Sequence, residues 1–362
     1  MKKTIILTLL SSPSLLTLPL VAQDFWFSGI QKVDLSSEFL HSNDISVAAY
    51  QFLYSGKEGP WTIDLGLGLN DYRIDYSPVL FGADVTLDEQ TWQGNIAATR
   101  NFGKSHSLGL RLRGYEGFAD HRSIWISQFY QQFFGSFPAY TEPDPRGYAF
   151  GTTYSFNQLP NYGKLELNID YGRDTIAPGW SFDGALGRPV SDRDELTTWS
   201  VGLRSEQPIN PWLKSETFLS AREISEREVR YGIRQSLGAV SGPVAFRLTA
   251  GYTEEAPTFD ALFASAQIEW NFLPEWTLIT GYRRYSDSGE IENSGFNAQA
   301  PALESAEIFA GILWDHGDLA ISSSIGFLTA DYAQLSDDNR FFGNLYRDRD
   351  WLTLRFAASY QF

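Results

Sequence analysis

The side chains that could do chemistry in this chain are mostly charged, and they recur at alternate positions. Arg111 and Arg113, Glu166 and Asp170, Arg204 and Glu206, Lys214 and Glu216, and Arg230 and Arg234 are spaced by two or four residues. On an extended backbone such spacing puts each set on one face. A face of this kind can line water, pair internally or steer charged solutes. Residues suited to covalent chemistry are sparse. There is no cysteine, which excludes disulfides and thiol chemistry. Of the four histidines, only His121, beside Asp120, falls in a long connecting segment, and a solvated loop position is expected for it. No spacing implies a Ser, His and acid grouping, and no metal, phosphate-loop or nucleotide motif is present. Neither a metal nor a cofactor is expected.

The elements that must carry these charges read as strands. In residues 61–70, Trp61, Ile63, Leu65, Leu67 and Leu69 alternate with Thr62, Asp64, Gly66, Gly68 and Asn70. Residues 165–171 and 244–253 show the same period of two, which marks a half-apolar strand. Candidate strands span 28–40, 44–55, 61–72, 89–102, 106–117, 146–157, 164–173 and 194–207 in the first half. In the second half they span 212–222, 227–237, 244–254, 259–270, 275–286, 303–314, 319–330 and 350–362. That makes about sixteen, with fourteen as the alternative. Turn chemistry separates them at Ser55 to Pro60, Pro208 to Pro211, Ser241 to Pro243 and Asp315 to Asp318. Trp61, Trp212, Trp276, Trp314, Trp351 and Tyr252 fall near strand ends, as an aromatic girdle requires.

The last strand is the most informative. Leu352, Leu354, Phe356, Ala358, Tyr360 and Phe362 alternate with Thr353, Arg355, Ala357, Ser359 and Gln361, and the chain ends on an aromatic residue. This ending resembles the C-terminal assembly signal of Gram-negative outer-membrane β-barrel proteins, with Tyr360 and Phe362 in its lipid-facing row. The resemblance implies an all-β, antiparallel, up-and-down transmembrane barrel. It also implies lipid, lipopolysaccharide and the barrel assembly machinery as partners, with self-association into homo-oligomers open.

Residues 1–22 fit a signal peptide cleaved after Ala22. Lys2 and Lys3 precede a Leu-rich run, and Val21-Ala22-Gln23 supplies a small residue for cleavage. Residues 23–362 then form a single domain. Losing Lys2 and Lys3 takes the formal charge from −16 to −18, which argues against nucleic acid as a partner. A soluble secreted all-β protein is the alternative, but it explains neither the terminal strand nor the hairpin rhythm.

Register assumptions bring specific charges together. A turn at Pro208 to Pro211 sets Glu206 opposite Lys214 and Arg204 opposite Glu216, both complementary. A symmetric turn through Gly238 to Pro243 sets Arg234 opposite Arg247, with Arg222 and Arg230 nearby. Like charges so placed need carboxylates such as Glu228 or Glu269 between them, or else an anion. The inward set also includes Lys32, Arg283 and Arg355 against Asp34, Glu38, Asp64 and Glu307, so the lumen is nearly balanced.

The segment 118–145 is the longest connection. It carries Trp125, Phe129, Tyr130, Phe133, Phe134, Phe137 and Tyr140, and the 125, 129, 133 spacing fits one helical face. It either folds inward as a constriction or caps the barrel from outside. Together these features point to a porin-like channel or transporter for small polar or anionic solutes, without catalysis. An outer-membrane lipase or protease, a hydrophobic-solute transporter and a purely structural barrel are the alternatives.

Overall fold

The computed structural model describes residues 31–79, 82–136, 144–159, 163–175, 179–183, 188–192, 195–225, 228–257, 259–289, 291–292, 298–333 and 342–362. The expected signal peptide, its cleavage at Ala22, and Phe137 and Tyr140 lie outside the described residues. Sixteen antiparallel strands close into one barrel. In chain order they begin β1 (Lys32–His41), β2 (Ile45–Glu58), β3 (Trp61–Tyr76), β4 (Val85–Phe102), β5 (His106–Glu116), β6 (Arg146–Leu159) and β7 (Gly163–Thr175). A helix, α1 (His121–Phe134), lies between β5 and β6. After a two-stranded hairpin, β8 (Gly179–Asp183) with β9 (Arg188–Asp192), the wall continues through β10 (Glu195–Asn210), β11 (Leu213–Ile224), β12 (Arg230–Ser241), β13 (Val244–Glu255), β14 (Phe259–Leu273) and β15 (Trp276–Asp287). A second short pair, β16 (Ile291–Glu292) with β17 (Ala298–Gln299), precedes β18 (Leu303–His316), β19 (Leu319–Tyr332) and β20 (Arg349–Gln361). Strand β20 closes on β1, with Leu35 opposite Ala358 and Glu38 opposite Arg355. Closure leaves no unpaired sheet edge in the lipid.

The sixteen expected strands are all present, most of them longer than expected because the turns are tighter. Glu58 pairs with Trp61 across Gly59-Pro60, and Ser241 pairs with Val244 across Gly242-Pro243. Gly59 and Gly242 have φ values of 58 and 59, and a two-residue hairpin with φ above zero at its first central position suits Gly followed by Pro.

This geometry corrects both register expectations. Glu206 lies opposite Glu216, and Arg204 opposite Phe218. Arg234 lies opposite Gly251 and Arg247 opposite Gly238, so the proposed Arg234–Arg247 facing pair does not form. The cause is the tighter turn, which slides the register by two residues between β10 and β11 and by four between β12 and β13, and leaves every side chain on its original face. The directly opposed arginines are Arg222 and Arg230. Glu228 lies outside the strands and is exposed.

The outward rows carry the lipid belt, among them Leu65, Leu67, Leu108, Leu110, Leu112, Ile233, Leu354 and Phe356, all exposed. Trp61, Trp212, Trp276 and Trp314 point outward at the periplasmic ends. Trp92, Trp199 and Tyr252 do so nearer the extracellular ends. Trp351 is a correction: it points inward and is 2% exposed.

Several strands outrun the bilayer, since about 9 to 11 residues suffice to cross it. β3 has 16 residues and β4 has 18. Past Leu69 the polarity of β3 inverts: Asp71, Arg73 and Asp75 face outward, and Tyr72, Ile74 and Tyr76 are buried inside. The inversion recurs at Phe259, Tyr285, Leu303 and Trp351, whose neighbours Asp260, Arg284, Glu304 and Asp350 face out. Above the lipid the wall is therefore polar outside and apolar inside, as the shell of a water-soluble core is.

Candidate functional site

That apolar inner surface is filled. Ile124, Trp125 and Ile126 of α1, together with Phe342, Leu345 and Tyr346 from the β19–β20 connection, pack against Leu40, Ile45, Tyr72, Ile74, Tyr76, Leu303 and Trp351. The helix starts where the sequence supplies a cap: the Asp120 carboxylate accepts from the Ser123 N–H at 2.8 Å. Trp125 lies 4.9 Å from the Tyr76 ring, and Phe129 lies 5.1 Å from Phe342. Just before the helix, Thr91 donates to the Phe118 carbonyl at 2.6 Å and Tyr72 to the Ala119 carbonyl at 3.0 Å.

The aromatic segment is thus a mouth plug rather than a mid-lumen constriction. Residues 121–127 are buried, Phe129, Tyr130 and Phe134 are half-buried, and Phe133 is exposed. Only the first half of the helix meets the apolar rim.

Two buried titratable groups anchor the plug. Arg349 binds Asp44 bidentately at 3.0 and 2.9 Å and also donates to the carbonyls of Asn344, Leu345 and Arg347. Arg347 adds a contact to Asp44 at 2.8 Å. Burial opposes ionisation of Asp44, but Arg349 and then Arg347 outweigh it and hold the carboxyl below its usual range. His121 is the second, and it corrects the expectation of a solvated histidine, being 4% exposed beside Trp351 with ring centroids 5.8 Å apart. Burial pushes its pKa down to about 3 against the partly opposing charge of Asp120, so the imidazole is neutral.

Below the plug, the inward-facing charges pair across the wall. On one side Arg283 meets Glu307 at 3.1 Å, and Arg355 bridges Glu307 and Glu38, each at 2.7 Å. Thr353 donates to Glu307 at 2.9 Å, and Arg283 lies 4.6 Å over the Phe309 ring. Gly281 and Gly326 make room for that ring: a Cβ on Gly281 would lie 2.5 Å from Phe309. On the other side Asp170 accepts from Arg111 at 2.6 Å and Arg113 at 3.4 Å, and Glu166 takes Lys164 at 2.8 Å. Arg204 contacts both Glu206 and Glu216 at 3.2 Å, Lys214 binds Glu206, and Arg234 reaches Glu216 at 3.6 Å. The Glu206–Lys214 and Arg204–Glu216 pairs therefore form, but diagonally instead of directly across. Arg230 is held by Glu255 at 2.8 Å and lies 4.4 Å over Phe259. Arg247 sits diagonally from Glu269.

Every expected pore-lining residue thus faces the lumen, and most sit in ion pairs. Arg349, Asp44 and Glu255 were missed, because the first two belong to the plug and the third lies at a strand end. The paired side chains stiffen the wall, since a charge removed from water inside the barrel is tolerated only with a partner. Among the described residues, no group of three or more metal-ligating side chains occurs.

A closed sixteen-stranded wall with a lipid-facing belt and a charged interior defines a transmembrane β-barrel of the bacterial outer-membrane class. Comparison with solved structures places the fold there. CdiB from Acinetobacter baumannii matches with a TM-score of 0.54 and 9% identity, covering 92% of this chain and 60% of that one. The CymD monoaromatic hydrocarbon channel matches at 0.47 and 8% identity, covering 93% and 89%. The Pseudomonas putida toluene transporter TodX matches at 0.41 and 12%, covering 92% and 89%. No family model matches the chain, and no curated protein matches it by sequence.

Proposed function

We propose that the protein is a passive outer-membrane channel for small polar solutes, including anions. The observation that carries this reading is the division of the interior. The apolar plug packs on β1–β4, β14, β15 and β18–β20, and among the described residues none of its members comes from β5–β7 or β10–β13. The inner face of those seven strands is polar and charged, with Arg111, Asp170, Arg204, Glu216, Arg234 and Arg247 only partly buried. A barrel of this strand number encloses more space than wall side chains fill, so a polar route along that side is the natural use of it. A polar lining favours polar cargo over hydrocarbons. On this reading the protein catalyses no reaction, and lipase or protease activity is the competing assignment. Single-channel recording and liposome swelling with neutral sugars and small organic anions test it. Uptake that excludes larger sugars supports the channel, whereas a folded but impermeant barrel that hydrolyses phospholipid would replace it with the enzyme.

A further inference from the structure

A basic patch marks the outer surface at the periplasmic end of β2–β5. Outward-facing Arg100 of β4 lies opposite Trp61 on β3 and Leu108 on β5, at the level of the aromatic girdle. Its guanidinium sits 5.5 Å from the Trp61 ring centroid and 5.2 Å from that of Phe102, and both rings are exposed. Among the described residues Arg100 makes no ion pair. Lys57, at the end of β2, and Lys104, just after β4, stand exposed beside it, against the single acid Glu58. Elsewhere the periplasmic turns differ: 208–211 and 241–243 carry no charge, and 274–275 and 315–318 carry Glu275, Asp315 and Asp318 with His316. In a chain of formal charge −16 the patch is therefore a local feature.

The two rings hold the guanidinium in the lipid-facing row, a contact worth about 0.5–1 kcal/mol at an exposed site. At this depth aromatic rings mark the headgroup boundary, so the groups that meet Arg100 there are lipid headgroups. One step toward the membrane centre, the outward row reads Ile63, Ala98 and Leu110. Ile63 and Leu110 are both exposed, and the small Ala98 side chain leaves a shallow furrow between them. A cation therefore lies at the foot of an apolar track.

We infer that Arg100, with Lys104, binds the phosphodiester of an anionic phospholipid in the periplasmic leaflet, with an acyl chain laid over Ala98. A guanidinium suits this ligand because its planar donors match two phosphate oxygens at once. The excess of basic groups selects a headgroup of net negative charge, each lysine or arginine near such a surface contributing about 1 kcal/mol. A zwitterionic headgroup brings its own cation, which the patch repels. The site lies on the outside of the wall, so it stands whether or not the lumen conducts.

The test uses the mature barrel, refolded in detergent and titrated with phosphatidylglycerol or phosphatidylcholine, and follows the first bound lipid by native mass spectrometry. Wild type should favour phosphatidylglycerol severalfold, and inorganic phosphate at equal concentration should not displace it, because phosphate alone gains nothing from the furrow. Arg100→Gln should weaken phosphatidylglycerol binding about tenfold, as loss of a charge-assisted contact does. Arg100→Lys keeps the charge and should retain most of the preference. Arg73→Gln, which removes an outward arginine at the extracellular end, should change nothing. Heat-modifiable mobility verifies that each variant is folded. Equal binding of the two lipids by wild type, or undiminished phosphatidylglycerol binding by Arg100→Gln, overturns the site. Displacement of the lipid by inorganic phosphate would show a bare anion site and overturn the lipid assignment.

Discussion

Trp125 is the side chain on which the docking of α1 depends most. It is 2% exposed, packs against the Tyr76 ring at a tilt of 55° and belongs to the apolar mouth cluster. Trp125→Ala removes that contact and leaves a cavity, a change that costs about 3–5 kcal/mol in packed cores. The polar holds on the helix are smaller. The Asp120 cap contributes about 1 kcal/mol, and the Tyr72 and Thr91 hydrogen bonds about 1 kcal/mol each. A loss of about 4 kcal/mol shifts docking toward the released helix roughly a thousandfold. The barrel wall, whose strand pairing the substitution leaves intact, should assemble normally and keep its heat-modifiable mobility. In planar bilayers the variant should show larger or longer open steps, and protease added outside intact cells should cut α1 sooner. A correctly assembled Trp125→Ala barrel with wild-type conductance and wild-type protection of α1 would refute the plug.

Three further outcomes are expected. Arg349→Ala leaves Asp44 buried beside a single remaining cation, a loss on the order of 3–5 kcal/mol for a broken buried pair, and should release the 342–348 segment to proteolysis. Acid should loosen the plug through His121. Its folded pKa of about 3 lies below the ordinary value near 6.5, so its contribution is complete above about pH 6.5 and is lost as pH falls toward 3. At pH 5 the loss is on the order of 2 kcal/mol, and His121→Phe should flatten the conductance change between pH 7 and pH 5. Asp120 and Asp44, which face the same group, are held below the usual carboxylate range and stay ionised in that window, and Arg122 and Arg349 are the cations that face it. Deleting Phe362, or changing the lipid-facing Tyr360 to Asp, should lower the amount of heat-modifiable barrel in the outer membrane, and normal levels would show that the terminal strand is not the assembly signal.

The wall was legible in the sequence because a period of two in a lipid-exposed strand leaves little freedom. Which face each residue takes survived even where register did not: Arg234, Arg247, Glu206 and Lys214 all point inward as expected. Their exact partners depended on turn length. Gly242-Pro243 makes a tighter turn than composition alone suggested, and side-chain alternation cannot distinguish registers that differ by an even number of residues. The plug was half legible. The helical spacing of Trp125, Phe129 and Phe133 is visible in the sequence, but the surface it docks on lies on distant strands. The signal for it lies in Asp71-Tyr72-Arg73-Ile74-Asp75-Tyr76, where alternation continues but the apolar residues move to the inner face. The same swap at Asp350-Trp351 explains why Trp351 read as a girdle residue and is instead a wall of the plug's bed. His121 and the Asp44–Arg349 lock join residues far apart in the chain, and no local pattern announces them.

Single-channel recording of the refolded mature barrel in a planar bilayer tests the central claim most directly. The account predicts discrete open steps, reversibly larger when the helix is released by Trp125→Ala. A barrel that is folded by its heat-modifiable mobility yet passes no current, with the plug in place or released, would contradict it.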